Sequence, residues 1–149
     1  MTEVRFYHMT RTSLDQALPQ MLEKTLERGQ RAVVRAGSEA RVESLSARLW
    51  TYNDRAFLPH GTVKDGRAER QPVWLTVEDE APNGAEVLFL TDGAESEKVG
   101  DYALCAVLFD GGDQDALAQA RAQWKTLKDA AYQVTYWQQD DNGRWGQKA

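Results

Sequence analysis

The sequence predicts an α/β fold: a single three-layer domain over residues 1–149, with a mostly parallel, Rossmann-like sheet and helices on both faces. Three observations carry that prediction. Short runs rich in β-branched and aromatic residues recur along the chain. Segments with apolar residues at steps of three and four follow the first and second runs and precede the last. The connections in the first part of the chain are short, and a strand–helix–strand unit of that kind closes as a right-handed crossover between parallel strands.

Glu3–Met9 (EVRFYHM) reads as the first strand, with Val4, Phe6 and His8 on one face and Arg5, Tyr7 and Met9 on the other. Thr12 and Ser13 are cap-type residues, and Leu14, Ala17, Leu18, Met21, Leu22 and Leu26 follow with helical period. Pro19 removes a donor and disfavours the helical conformation at Leu18, so a kink is expected, or a regular helix that begins near Leu18. Gly29 is the stop. Gln30–Ala36 reads as the second strand. Ser38 then caps a helix with Val42, Leu45 and Leu49 in register and Trp50 at its end.

Thr51–Gln71 breaks this rhythm. It is polar, holds Asn53, Pro59, Gly61 and Gly66, and has no regular period, and a loop of such length in a compact domain is usually functional or mobile. Pro72–Val77 and Glu86–Thr91 read as strands joined by the acidic turn Glu78–Gly84, and Tyr102–Phe109 (YALCAVLF) as a buried strand. Gln133–Trp137 reads as the last strand, and residues 140–149 are expected to fray.

Asp113–Tyr132 is the most informative stretch. It has no interior Gly or Pro; Leu117, Ala120, Trp124, Leu127 and Ala131 form one helical stripe, and Arg121, Lys125 and Lys128 line its edge at i, i+4 and i+7. Two readings stand open here. Trp124 is core beside a solvated charged face, or the helix presents a basic rim around an aromatic patch that suits an acidic, aromatic peptide tail.

Composition narrows the function classes. Hydrophobic residues make up 42% and charged residues 28%, as in ordinary globular domains. No apolar run approaches the roughly 18–20 residues of a membrane span, and the start MTEVRFYHMT has no signal-peptide pattern. The single Cys105 cannot form an internal disulfide, so a reducing, cytoplasmic setting is expected. A net charge of −5 and a pI near 5.1 argue against a sequence-independent grip on nucleic acid, so any basic contact must be local.

Catalytic and cofactor signatures are sparse, and no cofactor or metal is expected. HMTRTS after the first strand holds no glycine, so there is no GxGxxG turn, and GxxxxGK[ST] and GxSxG are absent. Cys105 lies within an apolar run, where a thiol is inert. His8 and His60 lie in different elements with no HxH or HxxxH spacing. They are the acid/base candidates of an alternative reading, a small α/β enzyme working from the strand ends. Glu78, Asp79 and Glu80 form a charge run without a basic partner nearby in sequence. Trp50, Phe57, Leu58 and Pro59 remain as large apolar groups on or beside the irregular segment, either interface anchors or groups folded back on the sheet edge.

Nearly the whole chain resembles the chi subunit family of bacterial DNA polymerase III. The resemblance rests on VRFYHM, LPQMLEKTLERGQRAVVRA, LWTYNDRAFLPHG, EVLFLTDG and ARAQWKTLKDAAYQVTYWQQ. LW followed after six residues by FLPHG is the most specific of these. The resemblance implies a non-catalytic adaptor that bridges the clamp loader, through the psi subunit, to the acidic C-terminal tail of single-stranded DNA-binding protein. It meets nucleic acid only indirectly and has no membrane contact. By resemblance, Trp50 and Phe57, with Leu58 and Pro59 beside them, match the psi-binding face, for which a repair-type helicase competes in some members. Arg121, Trp124, Lys125 and Lys128 match or replace positions around the tail pocket. Trp124 and Lys128 stand where other members have Tyr and Arg, and Leu117 replaces a cation.

Overall fold

The computed structural model describes residues 2–52 and 58–149. Seven strands form one sheet: β1 (Glu3–Met9), β2 (Ala32–Arg35), β3 (Val73–Thr76), β4 (Val87–Leu90), β5 (Leu104–Asp110), β6 (Gln133–Gln139) and β7 (Trp145–Gln147). Their order is β3-β2-β4-β5-β1-β6-β7; the first six run parallel and β7 pairs antiparallel with β6. Helices α1 (Leu14–Glu27) and α2 (Glu39–Thr51) cover one face and α3 (Gln114–Asp129) the other. The expected α/β architecture is the observed one.

Strand alternation builds two cores. Met9, Val34, Leu75, Phe89 and Leu108 pack with α1 and α2, while Val4, Phe6, Leu88, Cys105, Val107 and Phe109 pack with α3 and the loops around Tyr102. β3, β4 and the inner part of β5 are apolar on both faces because each face is covered.

Three expectations need correction. The first helix does not wait for Leu18: it begins at Leu14, where Gln16 Oε1 accepts from the Ser13 N–H at 3.0 Å. Pro19 is tolerated because the carbonyl it deprives, that of Asp15, accepts instead from Arg48 Nε of α2 at 3.2 Å. Ala131 is not on the stripe of the last helix: it lies beyond α3, exposed, with φ +68°. Nor does the end of the chain fray throughout. The Asp140 carboxylate accepts from the N–H groups of Asn142 and Arg144, and this turn returns the chain as β7, which carries Trp145 back onto the sheet. Within the irregular stretch, residues 58–71 hold a bridge from Gly61 to Trp74 and a 3-10 turn at Ala68–Arg70.

Candidate functional site

The Asp113 side chain caps α3 by accepting from the N–H groups of Asp115 and Ala116 at 2.9 and 3.2 Å. The helix then lies across β1, β5 and β6. Ala120 is buried, and Leu117, Trp124 and Leu127 are half-buried. Phe6 and Tyr136 are register partners on β1 and β6, and each meets the Trp124 indole edge-on, at 5.5 and 5.9 Å between ring centres. The indole is packed there without being sealed. It walls a cavity of about 360 Å³ together with Arg121, Leu117, Ala120, Phe109, Tyr136, His8 and Gln138. Arg121 is exposed at this opening, and Lys128 Nζ stands 5.3 Å from the centre of the Trp124 ring. Lys125 is exposed on the same helix but outside the cavity lining.

His8 belongs to this cavity, which the sequence reading did not foresee. Register places Phe109, His8 and Gln138 in one row across β5, β1 and β6, all on the α3 side. The signal was the alternation that puts His8 on the face of Phe6, but the row needs the strand order. His8 Nδ1 is hydrogen-bonded to the Tyr136 hydroxyl. Burial lowers the His8 pKa, opposed by the Asp110 carboxylate. Burial raises that of Tyr136, opposed by the Arg121 cation, so the phenol stays neutral. The result is a notch with an apolar floor, one guanidinium at the rim and a neutral ring pair at its end.

The other edge of α3 has the opposite sign. A crevice of about 650 Å³ lies outside the carboxyl ends of β1 and β5, where α1 and α3 depart to opposite faces. Parallel α/β folds hold nucleotides at such a switch point. Here Asp92, Asp110, Asp113 and Asp115 line it, with Arg11 and Arg41 facing them. Four carboxylates repel a pyrophosphate, in line with the missing glycine-rich turn.

The second set of sequence candidates divides. Trp50, near the end of α2, is 58% exposed, its ring 5.0 Å from that of His60. Pro59 is half-buried. Leu58 turns inward, 3% exposed, into the core with Leu45 and Leu75, so it supports this surface and offers nothing to a partner. Phe57 lies outside the described residues. The two histidines do not share a site. His8 is on β1, and His60 precedes the bridge that flanks β3, with β5, β4, β2 and β3 between them. At about 4.8 Å per strand this is roughly 24 Å. The acid/base pairing of the alternative enzyme reading is thereby ruled out. Burial pushes the Cys105 thiol up to about 12, which removes it as a nucleophile. Among the described residues, no group of three His, Cys, Asp or Glu side chains is placed to hold a metal, and no helix is long and apolar enough to cross a membrane.

Residues 1–135 match the family described as DNA polymerase III chi subunit, HolC. The chain belongs to that family. It is also similar to a probable DNA polymerase III subunit chi from Rickettsia prowazekii (strain Madrid E), at 30% identity over 105 residues. That match takes in 68% of this chain and 64% of the relative, so the chain spans somewhat less than two thirds of that protein's length.

Proposed function

We propose that the chain is a non-catalytic adaptor of the DNA polymerase III holoenzyme, working in the cytoplasm. Its α3 notch takes the acidic C-terminal tail of single-stranded DNA-binding protein, and its Trp50 face, with Phe57 and Pro59, takes the psi subunit or a competing repair helicase. The observation that carries this reading is the cavity shared by half-buried Trp124 and exposed Arg121 on a chain of net charge −5. A tail ending in Phe needs an apolar slot, and Leu117, Ala120, Phe109 and Trp124 supply one. Its carboxylate needs a donor, and Arg121 can bind it through two parallel hydrogen bonds. Lys125 and Lys128 supply point charges for the Asp side chains.

Exposed ion pairs contribute about 0–1 kcal/mol each. Burial of the Phe ring contributes about 2–3 kcal/mol and dominates the affinity. The cations set on-rate and salt sensitivity. Binding is therefore weak and exchangeable, as a hand-off requires. Calorimetry with the tail peptide tests this. Arg121→Ala loses up to about fivefold in affinity at an unchanged melting temperature; equal binding by Arg121→Ala and wild type removes the notch as the tail site.

A further inference from the structure

A second groove, on the face opposite α3, has a different chemistry. α1 packs on β2 and β5, and among the described residues no helix covers β6 and β7 on that side, so Tyr7, Trp137 and Trp145 lie there half-buried. They form a continuous aromatic shelf. Tyr7 meets Trp145 edge-on at 5.0 Å and lies 6.3 Å from Trp137 at 30° between planes, and the Arg5 guanidinium sits 5.2 Å from the centre of the Trp137 ring. The opposite wall is the end of α1, where Lys24 in the last turn and Arg28 at the C-cap are both exposed. The groove encloses about 220 Å³. In a chain with 23 Asp and Glu against 18 Lys and Arg, its lining holds Arg5, Lys24 and Arg28 and no carboxylate. Glu3 pairs with Arg5 from outside the lining.

We propose that this groove binds single-stranded nucleic acid, a few nucleotides long. A cationic wall that follows the phosphates beside aromatic rings that take the bases is the usual construction of such sites, and it needs no sequence preference. Charge complementarity is local, as the acidic chain demands. Half-exposed rings on a shelf suit flat bases. An acidic peptide would gain from the cations but carries few flat groups to set against the three rings. The site is independent of the tail pocket and lies across the sheet from it.

Fluorescence anisotropy with labelled oligothymidylate tests the groove, using the full chain at low and moderate salt. Saturable, salt-sensitive binding is expected, and Trp145→Ala weakens it about tenfold. Lys24→Gln with Arg28→Gln weakens it as well and makes the slope of log K against log salt shallower by about 1.4. Both side chains are exposed, so circular dichroism and the melting temperature stay at wild-type values. The same charge change at Arg67 and Arg70, near the opposite edge of the sheet, leaves binding intact. Absence of saturable binding at low salt, indifference to the groove variants, or competition by an oligo-aspartate peptide as strong as by unlabelled oligothymidylate each overturns the proposal.

Discussion

Arg48 Nε donates to the main-chain oxygen of Asp15 across 3.2 Å, the acceptor that Pro19 leaves without its helical donor. A sequence defect in α1 is thus offset by a side chain of α2, and the two helices are joined where they pack. Arg48→Ala leaves that carbonyl unsatisfied and should lower stability by about 1–2 kcal/mol in urea melts. Pro19→Ala restores an N–H at position 19, so Arg48→Ala should cost less in that background. Equal costs in both backgrounds would show that the guanidinium acts through some other contact.

Gly111 matters for space and not for backbone conformation. Its φ is outside the left-handed region, yet a Cβ there would fall 1.8 Å from His8 Nε2. Gly111→Ala should displace the imidazole, loosen its bond to Tyr136 and cost about 1–3 kcal/mol. Tail-peptide affinity should fall with it, because His8 and Tyr136 both line the notch. Gly146→Ala is the control: nothing lies within 4 Å of the added methyl, and the change should stay within about 0.5 kcal/mol.

Much of this is legible in the sequence. Alternation in EVRFYHM separates Phe6 and His8, which face α3, from Tyr7, which faces away from it. The α3 stripe was readable because its period is local. Strand order was not readable, since it depends on which edges pair at long range, and with it went the row of Phe109, His8 and Gln138. Pro19 misled because the compensating donor lies far along the chain. Gln123 looks like a surface residue by type, yet it is buried and donates to the Ala94 carbonyl at 2.9 Å, which fastens α3 to the loop after β4. Leu58 sits among turn-forming residues, and only its packing against α2 and β3 identifies it as core.

That burial separates two neighbours in the psi-face assignment. Leu58→Ala should cost about 2–5 kcal/mol, as expected for a leucine removed from a packed core, and its effect on any partner will follow from loss of fold. Trp50→Ala, at a position 58% exposed, should change stability by no more than about 1 kcal/mol while removing most of the ring offered to a partner. Thermal melts paired with a psi pull-down separate these outcomes. A Trp50→Ala chain that melts like wild type and still retains psi would move the psi site elsewhere.

His8 gives the notch a pH signature with two opposed trends. Burial holds its pKa below the ordinary 6.5, so the imidazole is neutral at pH 7 in the fold. As pH falls from about 7 through the unfolded value, the unfolded chain binds more protons, so this group's contribution to stability declines until the folded pKa is passed. Peptide binding should run the other way. An anionic tail favours the imidazolium, and its Asp side chains stay ionised down to about pH 5, so affinity should rise between about pH 7 and 5.5 with net proton uptake. Calorimetry in buffers of different ionisation enthalpy reads that uptake directly, and His8→Gln should abolish it and flatten both curves. A His8→Gln protein that keeps the wild-type proton uptake would place the titrating group elsewhere and take His8 out of the tail contact.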